Sequence, residues 1–348
     1  MSTNISSVSA RGGRPPIFYI SVAHLFQGSV LAVANLLVLA VILRHRVLRR
    51  KKEYVFMTAL ALPDMICRIG FASAAIYRFW LLANKLHRRL VTGWECMLTA
   101  HNLLLFNGTM VADCMLACVS FDRLIAVVDP LSRYCGLTIR YSYKLVAFVY
   151  SVALTASAVT GTVLSFTQER IARYPAICLG TDIVSHKAYN NFAWTLKSSA
   201  ALVQYYELAS VVVYIFIPII YIRKNRKVQA SMVPDESSEG YQLQQQRRLI
   251  VTMGLCACFT FVFVPVPHLF KLWVLATPSL KAYRRVVVPF TAMLRNVNPC
   301  MNIVLYTMRH SDIRTGLVYL FQGKELSPNF HQNMKSQKHT ATRAKTVV

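Results

Sequence analysis

Acidic residues are scarce in this chain: 14 Asp and Glu stand against 39 Lys and Arg among 348 residues, a formal net charge of +25. Charge of either sign is thin, at 15% of residues against 55% hydrophobic, which excludes an ordinary soluble domain of this length. No basic domain gathers the positive charge. The Lys and Arg residues are scattered at the edges of apolar blocks, so no nucleic-acid partner is expected. Metal-ligand spacing is missing as well: Cys256-Ala257-Cys258 lies in an apolar run without a partner His or acid. With no metal or cofactor site and no nucleophile–base pair standing out, an enzyme is not expected. Nor is there the internal half-repeat that marks many transporters. The first 16 residues are polar and lack a short apolar stretch with a cleavage site, so the first apolar block is expected to act as its own insertion signal.

What the chain does have is seven long apolar blocks, near 17–43, 54–82, 96–121, 145–168, 199–222, 249–276 and 286–308. Each meets the roughly 20 residues that a helix needs to cross hydrocarbon. Only helices and closed barrels satisfy their backbone in lipid, and these blocks are too long for barrel strands. The expected fold is an all-α membrane protein, a seven-transmembrane helix bundle at 17–308. A polar outer segment at 1–16, a short amphipathic eighth helix at 309–323 and a disordered cytoplasmic tail at 324–348 complete it. Lys and Arg are more numerous after blocks 1, 3 and 5 and in the tail than in the opposite set of connections. That bias places the N-terminus outside and the C-terminus in the cytoplasm of a multi-pass protein. The first inner connection, Arg44-His45-Arg46-Val47-Leu48-Arg49-Arg50-Lys51-Lys52, suits anionic lipid headgroups, and serves equally as a plain topology signal.

The polar residues inside these blocks carry the chemistry. Asn4-Ile5-Ser6 fits the glycosylation pattern on the outer segment. Block 1 holds Asn35; block 2 holds Asp64 with Arg68 one turn on. An aspartate at that depth needs a partner or a proton, and Arg68 is one candidate. Block 3 is expected to begin as a helix at Trp94-Glu95-Cys96 and to carry Asp113. Small residues in block 4 (Ala153, Ala156, Ser157, Ala158, Gly161) allow close helix contact. Among nine cysteines only Cys96 and Cys178 fall on the oxidising side, so a disulfide joining them is expected. Block 6 holds Phe259, Phe263, Pro265 and Pro267, and prolines inside a helix bend it. Thr291, Arg295, Asn298, Asn302 and Tyr306 recur at helical spacing around Pro299, which gives block 7 one polar face. Beyond it Ile313, Leu317 and Leu320/Phe321 oppose Arg309 and Arg314, the pattern of a helix lying on a membrane surface.

Block 3 ends in Ser120-Phe121-Asp122-Arg123-Leu124, followed by Asp129-Pro130-Leu131. With Asn35 and Val38, Leu60-Ala61 and Asp64, Phe259, Phe263 and Pro265, and Asn298-Pro299, these motifs stand in order along nearly the whole chain. The chain thereby resembles the rhodopsin-like (class A) G-protein-coupled receptors. Within that superfamily Ser120 to Leu124 and Leu305 to Asp312 look most like nematode serpentine chemoreceptor-type sequences. The departures are specific. Leu124 stands where the family has Tyr, Phe263 replaces its block 6 Trp, and Asn302 replaces its block 7 Tyr. Cys96 lies two residues further from Arg123 than is usual.

The resemblance implies a receptor for an extracellular ligand that activates a heterotrimeric G protein when helix 6 swings outward at Pro265. Arg123 would leave Asp122 and meet the G protein, with Leu124 and Tyr221 alongside. The acid that often holds this arginine from helix 6 is missing from Gln242 to Arg248, so the resting latch is expected to be weak. Arg295 would face the site where the family's aspartate binds sodium, favouring an Asp64–Arg295 pair over a cation, with Arg68 competing. The helix 3 position of a monoamine-binding carboxylate is Leu105, or Leu103 allowing for the displacement; amines are therefore rejected, leaving small chemosensory molecules and peptides. Ligand candidates are His101, Leu105, Gln204, Glu207, Val266, Phe270 and Lys271. The final Thr346-Val347-Val348 resembles a PDZ-domain ligand, and no tail cysteine follows the surface helix for palmitoylation. The rival readings are a signalling-silent decoy or scaffold receptor and, further off, a transporter or channel.

Overall fold

The fold is that of a computed structural model, which describes residues 16–128, 138–167, 174–178, 265–277, 296–309 and 311–325, with isolated positions between 212 and 294. In chain order the elements are α1 (Pro16–Arg44), α2 (Arg46–Arg49), α3 (Lys52–Ala83), β1 (Leu90–Val91), α4 (Gly93–Met97), α5 (Ala100–Val128), α6 (Ile139–Thr167), β2 (Tyr174–Pro175), α7 (Pro265–Ala276), α8 (Val297–Arg309) and α9 (Ser311–Phe321). Four of them, α1, α3, α5 and α6, are long and apolar enough to cross a membrane. At 29 to 32 residues and ~1.5 Å of rise each, they exceed the ~30 Å hydrocarbon core. The excess explains why α6 begins six residues before the apolar block suggested. Hydropathy marks the lipid-embedded part, whereas backbone hydrogen bonding carries a helix on through Arg140 and Lys144. Most of the fifth block and the first ten residues of the sixth lie outside the described residues.

The start of the third span is corrected. The helix expected from Trp94 is instead two helices. The first, α4, is opened by a capping box in which Thr92 Oγ1 accepts from Glu95 N (3.1 Å) and Glu95 Oε2 accepts from Thr92 N (2.8 Å). Donation from the Thr92 backbone N–H, and then from its hydroxyl at 3.1 Å, holds the exposed Glu95 carboxyl below its usual range, with Arg89 adding to the effect. The chain then breaks at Leu98–Thr99 before α5 begins. Thr99 Oγ1 (2.7 Å) and Asn102 Nδ2 (2.8 Å) both donate to the Cys96 carbonyl across the break.

At this end of the bundle β1 pairs antiparallel with β2, Leu90 opposite Pro175 and Val91 opposite Tyr174, a two-stranded addition to a helical fold. Beside it the Cys96–Cys178 disulfide is present, with Cα atoms 5.3 Å apart. Both cysteines are buried against Met97, Val91 and Phe106. Closing a loop across a separation of 82 residues is worth about 4 kcal/mol by chain entropy.

Helix α1 packs along α3, α3 against α5, and α5 and α3 against α6. Glycines set the closest approaches. A Cβ on Gly70 would lie 2.9 Å from Leu105 Cγ, and one on Gly108 2.7 Å from Cys67 Sγ and 3.2 Å from the Pro63 carbonyl. Of the small residues in the fourth block, Ala153 and Ser157 face inward while Ala158 faces out. Ala153 joins a core with Phe56, Leu60, Val111, Met115 and Val119. Tyr150 Oη ties α6 to α3 by donating to the Ala59 carbonyl at 2.7 Å.

The opposite end is closed by α9. Its Ile313 is fully buried among Val38, Val41, Ile42, Tyr54 and Met57, with Leu317 and Leu320 packed alongside. Phe321, expected on the same apolar side, lies outside this packing and is 77% exposed. The apolar stripe divides because α9 turns its Ile313 edge onto α1 and α3, which leaves Phe321 pointing away. A polar clamp fixes the helix: Asp312 Oδ2 accepts from Lys51 Nζ (2.9 Å) and Tyr54 Oη (3.0 Å), and a His45 ring nitrogen lies 3.1 Å from the Gly316 carbonyl. Asp312→Asn removes the charge from a buried acceptor with two donors. It is expected to lower stability by about 1–2 kcal/mol, read as a drop in the melting temperature of the purified receptor. The Arg44–Glu325 pair, 3.8 Å apart and exposed on both sides, adds little.

Candidate functional site

Helix α5 links the two ends. It starts beside the disulfide and carries Asp122-Arg123 about 35 Å further on, at ~1.5 Å per residue. Asp122 is buried at 7% exposure, and its charge reaches Cys118 one turn back. Ser120 Oγ donates to the Leu116 carbonyl at 2.7 Å, and Leu124 is half-buried. Arg123 is helical, but its side chain, like Tyr221 and the Gln242–Arg248 stretch, lies outside the described residues.

The middle of the bundle is charged. Asp64 and Arg68 on α3 and Asp113 on α5 are all buried, and all three act electrostatically on the buried Cys67 between them. The Arg68 guanidinium sits 5.5 Å from the centroid of the Phe71 ring. Arg295, the other candidate partner of Asp64, lies outside the described residues. Asn35 Nδ2 donates to the Leu31 carbonyl at 3.0 Å. Asn298 and Thr291 are buried and Pro299 lies within α8; the side chain of Asn302 is not among those described. The seventh apolar block is tied to α1 through Gln27, whose Nε2 donates to the Met293 carbonyl and whose Oε1 accepts from Asn296 Nδ2, each at 3.3 Å. Phe259 and Phe263 stack with rings 6.2 Å apart and 10° from parallel; both are helical, as are Val262 and the α7 residues from Pro265 on.

The ligand candidates divide. His101 is 3% exposed at the start of α5, with its ring 5.0 Å from that of Tyr77 and 3.4 Å from Thr99 Oγ1. Leu105 fills the seam opposite Gly70. Val266 and Phe270 are each 44% exposed on α7. Gln204, Glu207, the side chain of Lys271 and Asn4 lie outside the described residues, as does the C-terminal Thr346-Val347-Val348. Sequence reasoning missed His24 and Arg78. They are buried at 6% and 5% exposure, and an Arg78 guanidinium nitrogen stands 3.2 Å from His24 Nδ1. The signal that marked Asp64, an ionisable residue inside an apolar block, was there for both.

A bundle with buried polar residues at mid-depth, a disulfide at one end and Asp-Arg at the other is the frame of a seven-helix receptor. The chain matches the 7 transmembrane receptor (rhodopsin family) over residues 34–306 and belongs to that family, whose members are multi-pass receptors of the plasma membrane rather than enzymes. Among its relatives, the Substance-P receptor of Meriones unguiculatus is 23% identical over 303 residues, 83% of this chain and 67% of its own. The Substance-P receptor of Mus musculus is 22% identical over 337 residues, 91% and 76% of the two chains. Olfactory receptor 8A1 of Mus musculus is 30% identical over 125 residues, 35% and 38% of the two.

Proposed function

We propose that this receptor binds a ligand at its disulfide end, on the extracellular side, and activates a heterotrimeric G protein at the Asp122-Arg123 end. The observation that carries the reading is the single helix α5, which joins the disulfide-bonded end to a buried Asp122 beside Arg123. Ligand binding shifts the balance only if it favours one helix arrangement. The favoured one moves the cytoplasmic half of helix 6 outward about Pro265 and frees Arg123 to meet the G protein. The likeness to substance-P receptors over most of the chain supports a peptide ligand ahead of a small chemosensory molecule, and Leu105 argues against an amine. With no acid between Gln242 and Arg248 to hold Arg123, the resting state is loosely closed.

The test is nucleotide exchange on added G proteins by membranes carrying the receptor, with no ligand present. We expect a basal rate several-fold above that of receptor-free membranes at matched protein content. A rate equal to the blank with every G-protein class favours the signalling-silent reading, to which Leu124, Phe263 and Asn302 lend support.

A further inference from the structure

The disulfide end contains a buried cluster of one arginine and two histidines that none of the mechanism above uses. His24 on α1 and Arg78 on α3 meet there, 3.2 Å apart, and His101 on α5 packs on Tyr77, the neighbour of Arg78 in the chain; each of the three is at most 6% exposed. Arg78 acts electrostatically on both imidazoles. The two described ion pairs, Arg44–Glu325 and Lys51–Asp312, leave Arg78 out, so its charge is met by an imidazole and by no carboxylate among the described residues. Burying an unpaired cation is costly.

The hydrogen bonding fixes what is wanted. A guanidinium only donates, so His24 Nδ1 accepts from Arg78 and the neutral ring carries its proton on Nε2. His24 Nε2 and Arg78 Nε are both buried without a hydrogen-bond partner. Two unused donors, one of them charged, call for acceptors that bring negative charge. The surround is aromatic: the Phe71 ring lies 5.2 Å from His24, Tyr77 lies 5.0 Å from His101, and the Tyr77 ring stacks at 6.3 Å on the exposed Trp80. Arg78 sits five residues inside the end of α3, within reach of an extended ligand entering from that side.

We propose that His24, Arg78 and His101 form a subsite for the carboxylate of the ligand, with aromatic walls for the body that bears it. This rests on the receptor reading and names the ligand chemistry. The carboxylate belongs either to a small aromatic acid or to the free C-terminus of a peptide, and the two arms of the test separate these.

The full-length receptor, purified in detergent, is melted with benzoate against benzamide, and with N-acetylphenylalanine against its amide, at matched ionic strength and up to about 10 mM, since only a ligand of the folded state raises the melting temperature. At least one acid is expected to raise it by a few degrees, and its amide to leave it unchanged. Benzoate alone points to a small acid; N-acetylphenylalanine alone points to a peptide terminus. Arg78→Gln is expected to weaken the acid's effect at least ~10-fold in concentration, as loss of a charge-assisted pair does, while the exposed Lys85→Gln leaves it intact. Independently, Arg78→Met without any acid melts at or above wild type, because a buried unpaired charge is removed. The proposal is overturned if neither acid shifts the wild type, if acids and amides act alike, if Arg78→Gln responds as wild type does, or if Arg78→Met melts several degrees lower. Melting is read without G protein, so failure here leaves the signalling reading standing, and a silent receptor leaves this subsite standing.

Discussion

Arg123→Ala is expected to reduce G-protein activation by roughly 30-fold, the consequence of losing an interfacial arginine worth about 2 kcal/mol. The argument begins with position. Arg123 stands within α5, five residues before its last described residue Val128, beside an Asp122 that is 7% exposed. An ionisable pair at a membrane boundary is expensive to keep unless it is used. If Arg123 only balanced Asp122, its loss would leave a buried carboxylate uncompensated and the receptor would fail to reach the surface. If it meets the G protein, the variant reaches the surface and melts close to wild type but no longer drives exchange. Surface density and nucleotide exchange measured together separate the two. Arg140→Ala, an exposed cation near the start of α6, serves as the control and is expected to signal normally. Equal exchange by wild type and Arg123→Ala, with wild type above the blank, would remove Arg123 from the mechanism.

The fold was legible because lipid narrows the choices. A run such as 54–82 has only one way to satisfy its backbone, and α3 follows it to within two residues at its start and one at its end. The cysteine pair was legible for the same reason, since topology left few thiols on one side. What escaped were features that hydropathy cannot express. The break at Leu98–Thr99 depends on Thr92 and Glu95 closing a capping box and on Asn102 reaching back to Cys96, and the apolar run passes through it unmarked. The division of Ile313 from Phe321 depends on how α9 sits against α1, which no periodicity reveals. At the candidate site, Asp64 and Asp122 were found because they belong to motifs. His24 and Arg78 were passed over because their meaning comes from being 3.2 Å apart while 54 positions apart in the chain. The small-residue signal was read in the fourth block, yet the closest helix approaches fall on glycines of the first three.

Gly28→Val should nearly abolish surface expression, although nothing in the sequence around it sets Gly28 apart from other small residues. A Cβ there would stand 2.8 Å from the Arg68 carbonyl oxygen and 2.9 Å from the Ala72 nitrogen. Both obstacles are backbone, so no rotamer change relieves them; α1 and α3 must separate. Overpacking a filled interior costs about 1–3 kcal/mol where side chains can yield, and here alanine alone is expected to reach the top of that range. Valine adds two methyl groups to the same contact and exceeds it, which is a large share of the 5–15 kcal/mol typical of a folded protein. The displacement would also reach function, because the carbonyl it strikes belongs to Arg68 in the charged middle of the bundle, and His24 lies one turn away on α1. Surface labelling and melting of Gly28→Ala and Gly28→Val should therefore fall in that order. Val30→Ala, at a half-exposed position two residues on, should match wild type. If Gly28→Val reached the surface at the wild-type level, α1 and α3 would not be packed as closely as this seam requires, and the His24–Arg78 contact across the same seam would be in question.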